Sequence, residues 1–167
     1  DKMTTQLYSE LIRNSVKNPA EKKKSKLVDI VAKARNKYWE VVQLKIESGL
    51  ISKKGMYVSP KYLKNVLNDE ELEAKKGIID ADKNPSEDAD IFLCRLNNEK
   101  VLSAEGNELG RIYDFEIYVS EHPWKVWKIL VKPSGLSPLK RRLRIPIKSI
   151  EKIDSDGLYL KNGWIEE

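Results

Sequence analysis

The chain has 167 residues, of which 40% are hydrophobic and 34% charged, and it carries a net charge of +5. This is the balance of a soluble globular protein, and no run of about 18 apolar residues offers a membrane span. The single cysteine, Cys94, excludes an intramolecular disulfide and, with no secretory signal visible, points to a reducing, cytoplasmic setting.

The charge is unevenly spread. Residues 1–75 carry 16 basic and 10 acidic side chains, residues 76–95 carry 3 and 5, and the remainder 12 and 11. The first half is therefore the basic one, which suits an anionic partner. It lacks the dense clustering of a dedicated nucleic-acid domain.

In chain order, residues 7–16 (LYSELIRNSV) predict one helical turn leading into a short strand. The run PAEKKKSK makes a charged turn, with Lys22, Lys23, Lys24 and Lys26 on it. Residues 27–32 and 39–46 predict two strands joined by KARNKY. A short strand, MYVSP, ends at Pro60, which cannot donate to a ladder and so suits a strand end. KYLKNV adds a helical turn, and DEELEAK closes the unit, with its Glu70-Glu71 favouring helix.

Residues 78–90 are polar, acidic and contain proline, and they read as a linker. Its D-A-D and E-D-A-D groups lack the spacing of a calcium loop, so a solvated linker is the favoured reading.

From residue 91 the pattern starts again. At a shift of 85, Leu11 falls on Leu96, Val16 on Val101, Asp29 on Asp114, Trp39 on Trp124 and Val41 on Val126. At a shift of 86, Pro60 falls on Pro146, Leu72 on Leu158 and Gly77 on Gly163. Such a register marks an internal repeat, and two units of about 80 residues follow from it. In the second unit Gly106 supplies a positive φ in a hairpin turn. Tyr113, Phe115, Ile117 and Val119 alternate with Asp114, Glu116 and Tyr118, as on a strand. The strand over residues 124–131 is apolar on both sides, which places it centrally or near an interface. LRIP ends at Pro146, IKSI makes a turn, and Asp156-Gly157 predicts a hairpin before a last strand over residues 158–161.

Each unit resembles a PRC-barrel, the small β-barrel named after the photosynthetic reaction centre H subunit. The second unit carries Val101, Gly106, Leu109, Gly110, Arg111, Ile112, Asp114, Ile145, Pro146, Asp156 and Gly157 at the family's motif positions. The first keeps Val16, Leu27, Asp29, Val58 and Pro60 but lacks the glycines and the D-G turn. The resemblance implies a mainly β protein: two tandem small antiparallel barrels with short helical turns, over residues 3–77 and 91–167. It implies no enzyme activity and no cofactor. It implies an adaptor between proteins, and a free-standing tandem pair looks most like the archaeal cell-division group, whose members connect to SepF, the membrane anchor of FtsZ. Recruitment to the division site, with SepF or another PRC-barrel protein as partner in a homo- or hetero-oligomer, would follow. The alternative is a ribosome- or RNA-associated factor resembling the RimM barrel.

Residue chemistry gives no catalytic constellation. His122 sits in an EHP turn without a nucleophile partner, and Cys94 reads as a buried or half-buried structural thiol. The repeated Asp29 and Asp114 read as aspartates that accept backbone N–H bonds and fix a turn. Trp39 and Trp124 repeat, which favours packing. Trp127 and Trp164 do not repeat and are the interface candidates, with Trp127 open between interface and core. Lys140, Arg141, Arg142 and Arg144 form a basic cluster able to clamp phosphates or carboxylates, with a solvated charged face as the plainer account.

Overall fold

The computed structural model describes residues 4–12, 14–17, 24–48, 54–63, 71–73, 81–135 and 141–166. The calls on Lys22, Lys23 and Lys140, on Gly77 and on the start of the linker lie outside these residues. The fold is mainly β, and its strands join into one mixed sheet.

The first unit runs β1 (Thr5–Leu7), α1 (Tyr8–Leu11), β2 (Ser15–Lys17), β3 (Lys24–Ala34), β4 (Trp39–Ser48), β5 (Lys54–Val58), a 3₁₀ turn (Pro60–Tyr62) and β6 (Glu71–Glu73). A two-residue strand, β7 (Ala81–Asp82), follows. The second unit runs β8 (Ile91–Phe92), α2 (Leu93–Leu96), β9 (Lys100–Leu102), β10 (Glu108–Tyr118), β11 (Lys125–Pro133), β12 (Leu143–Pro146), a 3₁₀ turn (Ile147–Ser149), β13 (Ile150–Asp154) and β14 (Gly157–Leu160). The two orders match element by element, except that β13 has no counterpart among the described residues and β7 has none in the second unit. The expected helix around Glu71 is instead β6, which pairs in parallel with β2 just as β14 pairs with β9. Pairing with an existing strand overrides the local helical preference of glutamates.

The repeat extends to the irregularities. The β3–β4 ladder slips between Leu27 and Asp29 and between Val31 and Ala32. The β10–β11 ladder slips between Ile112 and Asp114 and between Glu116 and Ile117, the same places 85 positions on. A bulge adds one residue to a strand and resets which side chains face in. Asp114 is thereby turned inward, 5% exposed, and Tyr113 is half-buried. The simple alternation read from the sequence assigns these two the other way round.

The register of the proline strands also differs from the sequence alignment. Val58 lies opposite Leu44, and Ile145 lies opposite Ile129, so β5 and β12 correspond at a shift of 87 (58 to 145). Ser59 thus corresponds to Pro146, and Pro60 opens its 3₁₀ turn where Ile147 opens the other. The prolines occupy neighbouring positions rather than equivalent ones. Gly106 has φ 90° in its turn, as expected. At Gly110 the need is space: a Cβ there would sit 2.2 Å from the Lys132 carbonyl oxygen. Ser155 and Asp156 form the β13–β14 turn, and Gly157, with φ 141°, opens β14.

Two closed barrels are not what the pairing gives. The order is β13-β14-β9-β10-β11-β4-β3-β2-β6, and among the described residues no ladder joins β12 to β13 or β5 to β6. The units meet where β4 and β11 pair antiparallel, Lys125 opposite Glu40 and Val126 opposite Trp39, with the Val41 N–H donating to the Trp124 carbonyl. Trp39 corresponds to Trp124 and Val41 to Val126, so a pseudo-two-fold axis passes through the Glu40–Lys125 pair. Trp39 and Trp124 are 3% and 0% exposed and belong to one apolar core that spans both units.

Each unit also gives its opening segment to the other. β1 pairs with β10, and β8 pairs with β3. The aspartates anchor this exchange. Asp114 accepts the Ser9 N–H at 3.0 Å, the Ser9 hydroxyl, and the Phe115 N–H at 2.9 Å. Asp29, 3% exposed, accepts the Cys94 N–H at 3.0 Å, the Ile30 N–H at 2.8 Å and the Tyr8 hydroxyl at 3.2 Å. Ser9 and Cys94 are themselves equivalent, 85 apart. Each aspartate accepts backbone N–H bonds, as expected, but from the middle of a strand rather than from a turn, and it holds the first turn of the opposite unit's helix.

The linker is docked rather than free. β7 pairs with β5, Ser86 N–H donates to Gln43 Oε1 at 2.7 Å, and Asp90 accepts the Ala34 N–H at 3.1 Å. Asp88 takes the Ser86 hydroxyl and the Lys33 ammonium. Asp88 and Asp90 are engaged in this docking, and no group of three metal-ligating side chains occurs among the described residues.

Replacing Asp114 with alanine strands two backbone donors and a hydroxyl in a buried site. The expected cost is ~3 kcal/mol, read as a shift in denaturant midpoint with an unchanged slope. Asp114→Asn keeps one acceptor oxygen and should cost less. Equal, small effects from both variants would contradict this anchoring role.

Candidate partner-binding surface

β11 is the strand on which the two units turn, since it bonds β10, β12 and β4. On one of its faces Lys125 and Trp127 stand two residues apart. In the β10 ladder Tyr118 lies opposite Lys125, which makes Tyr118 and Trp127 diagonal neighbours. The junction of β4 with β11 brings Tyr38, just before β4, to the same place.

The result is a row of three half-buried rings. Trp127 lies 5.2 Å from Tyr118 and stacks on Tyr38 at 6.0 Å and 21°. Lys125 Nζ stands 5.0 Å from the centre of the Tyr38 ring. Trp127, open between core and interface in the sequence, therefore takes neither extreme: it is half-buried, sandwiched between tyrosines at the surface. Sequence reasoning missed Tyr38 and Tyr118. The outward position of Tyr118 on β10 was legible, but the approach of Tyr38 depends on the junction between the units.

The arginines are engaged within the chain. Arg141 makes two bonds to Glu166, at 3.0 and 2.6 Å. Arg144 makes two bonds to Glu116, both at 3.0 Å, and its N–H donates to Glu166 at 3.3 Å. The Arg141 guanidinium holds the Glu166 carboxyl below the usual carboxylate range. Arg144 holds Glu116, two residues before Tyr118 on β10, so this network abuts the aromatic row. Arg142 lies 4.7 Å over the Tyr113 ring. Trp164 packs against the core, half-buried, rather than standing free.

The two candidate reactive groups are also accounted for. His122 is half-buried rather than loose in a surface turn. Its ring stacks on Trp124 at 5.8 Å, and Nε2 lies 3.4 Å from the Leu63 carbonyl. Cys94 presents exposed surface, contrary to the buried reading. Its thiol is nonetheless pushed up to about 11, first by partial desolvation and then by the hydrogen bond and charge of Asp29. Burial, followed by the charge of Asp29, likewise pushes the Tyr8 phenol upward.

Comparison of the chain with protein-family models gives no match, and comparison with curated proteins gives none either. No helix among the described residues is long and apolar enough to cross a membrane.

A thiol whose folded value is raised from 9.0 to about 11 keeps its stabilising contact below pH 9 and loses it as pH rises through 11. Alkylation of Cys94 at pH 8 should run roughly 100-fold slower than that of an unperturbed thiol, since two pKa units separate them. A reactivity midpoint at or below pH 9 would contradict the contact with Asp29.

Proposed function

We propose that this chain is a non-enzymatic adaptor that binds another protein through the row Lys125–Tyr38–Trp127–Tyr118. The observation that carries this reading is the half-exposed, pre-stacked Trp127. Rigid aromatic rings at a surface supply large contact area at little entropic cost, and tryptophan and tyrosine dominate interface hot spots. The row occurs once, although the chain is a repeat. Trp127 corresponds to Val42 and Tyr118 to Lys33, so the first unit has no counterpart. An aromatic present in only one copy is not needed to build the unit.

The sequence motifs of the two units resemble a PRC-barrel, and the fold that supports the reading is a repeated set of strands joined into one mixed sheet. The setting suggested by that resemblance is archaeal division based on FtsZ and SepF, with SepF or another PRC-barrel protein as the partner. The rival reading, an RNA- or ribosome-associated factor, rests on the basic first half of the chain and on the arginine cluster. Arg141 and Arg144 are each held in two-bond contacts by carboxylates, which leaves them poorly placed to clamp phosphates.

The test is a binding titration against purified SepF and PRC-barrel candidates at low and high salt. Trp127→Ala should weaken binding by about 30-fold or more, the scale of a 2 kcal/mol hot spot, with the thermal midpoint little changed. Binding should persist at high salt. Affinity for RNA that falls steeply with salt and ignores Trp127 would replace this reading with the rival one.

A further inference from the structure

At one end of the strand order stands β13, bonded on one side to β14 and unpaired on the other among the described residues. Through Ile150, Glu151, Lys152 and Ile153 the strand helps to line a cleft of about 590 Å³ between the units. Ile153 is 40% exposed, one of two large hydrophobic residues so exposed among the described residues. An open edge carrying an exposed isoleucine is a pairing template, and proteins blunt such edges with charge. Here Glu151, Lys152 and Asp154 supply the charge.

We propose that β13 is a self-association edge, which pairs antiparallel with β13 of a second copy of this chain about a two-fold axis at Ile153. The argument is one of register. Directly opposed residues in a sheet point to the same face, and beyond the β13 bulge at Glu151 the residues Lys152, Ile153 and Asp154 alternate. A two-fold axis normal to the sheet therefore pairs only residues an even number apart, and it must pass through a residue rather than between two. Centred on Glu151, it sets Glu against Glu. Centred on Lys152, it sets Lys against Lys, and centred on Asp154, Asp against Asp. Centred on Ile153, it sets Ile153 on its own copy and Lys152 opposite Asp154 twice.

Only this register among the four is free of like charges facing each other, and it is the one that covers the exposed apolar residue. The faces agree with it. Lys152 and Asp154 share a face, their charged atoms 3.6 Å apart, and Lys152 lies over Tyr159 on that face. Ile153 lies opposite the fully buried Leu158, on the core side. Pairing would thus extend the core face by two isoleucines and complete an alternating square of four charges on the other face. The charges that deter a random strand leave this one partner admissible. The chain already joins its two units in the same manner, with β4 and β11 paired antiparallel about a single central pair.

The test is sedimentation equilibrium of the full chain from micromolar to millimolar concentration, with three sets of variants. Wild type should show a reversible monomer–dimer equilibrium. Ile153→Lys should weaken it by at least ~tenfold, the value of one buried isoleucine or more. Lys152→Asp and Asp154→Lys should each weaken it, and the double exchange should restore it. In a Cys94→Ser background, Ile153→Cys should form a disulfide-linked dimer, since the axis brings the two positions directly opposite each other. Circular dichroism confirms that each variant is folded. A chain monomeric throughout, a dimer indifferent to Ile153→Lys, or a double exchange without rescue would each overturn the proposal.

Discussion

Two buried carboxylates hold this fold together, and each does so across the boundary between the repeats. Asp29 and Asp114 stand at bulges 85 positions apart, turned inward where a regular strand would have turned them out. A carboxylate buried without hydrogen bonds would cost several kcal/mol. Each therefore needs donors, and neither finds enough in its own unit. The missing ones come from Ser9 and Cys94, at the first turn of the helix in the other unit. Once those turns are docked, β1 lies against β10 and β8 against β3. The exchange is reciprocal because the sequence repeats, and the core is continuous because the exchange is reciprocal.

This arrangement separates what the chain must keep from what it can vary. The aspartates, the central tryptophans and the bulges recur in both copies, because both halves of the exchange use them. Away from the pseudo-two-fold axis the copies diverge. One side gained the row of Tyr38, Trp127 and Tyr118. The C-terminal segment was fastened by Arg141 and Arg144 to Glu166. The linker was laid along β5. Surface features that break the repeat are where a binding role can be added without disturbing the exchange.

Much of this was legible in the sequence, and the limits were physical. Identities at a constant shift disclosed the repeat, and alternation disclosed the strands. The aspartates read as acceptors of backbone N–H bonds, which they are, but half of their backbone donors lie more than 60 positions away. Nothing local indicates a partner so distant. The bulge at Asp114 was invisible because an extra residue leaves no mark on composition. Proline identity drew the register of β12 to Pro60, whereas the ladder follows Val58 and Ile145. Glu71 shows tertiary pairing overriding local preference. Arg141 and Arg144 looked like ligand residues because the acids that occupy them, Glu166 and Glu116, are remote in sequence.

The reciprocal exchange is tested most directly by cutting the chain where the units are joined. A protease site placed at the exposed residues Lys83 and Asn84 would yield two fragments without removing any strand. If each unit carries the other's opening segment, the nicked protein should elute at the size of the intact chain and separate only on denaturation. Asp114→Ala should ease that separation. Two folded fragments that part under native conditions would contradict the exchange and return the chain to two independent domains on a tether.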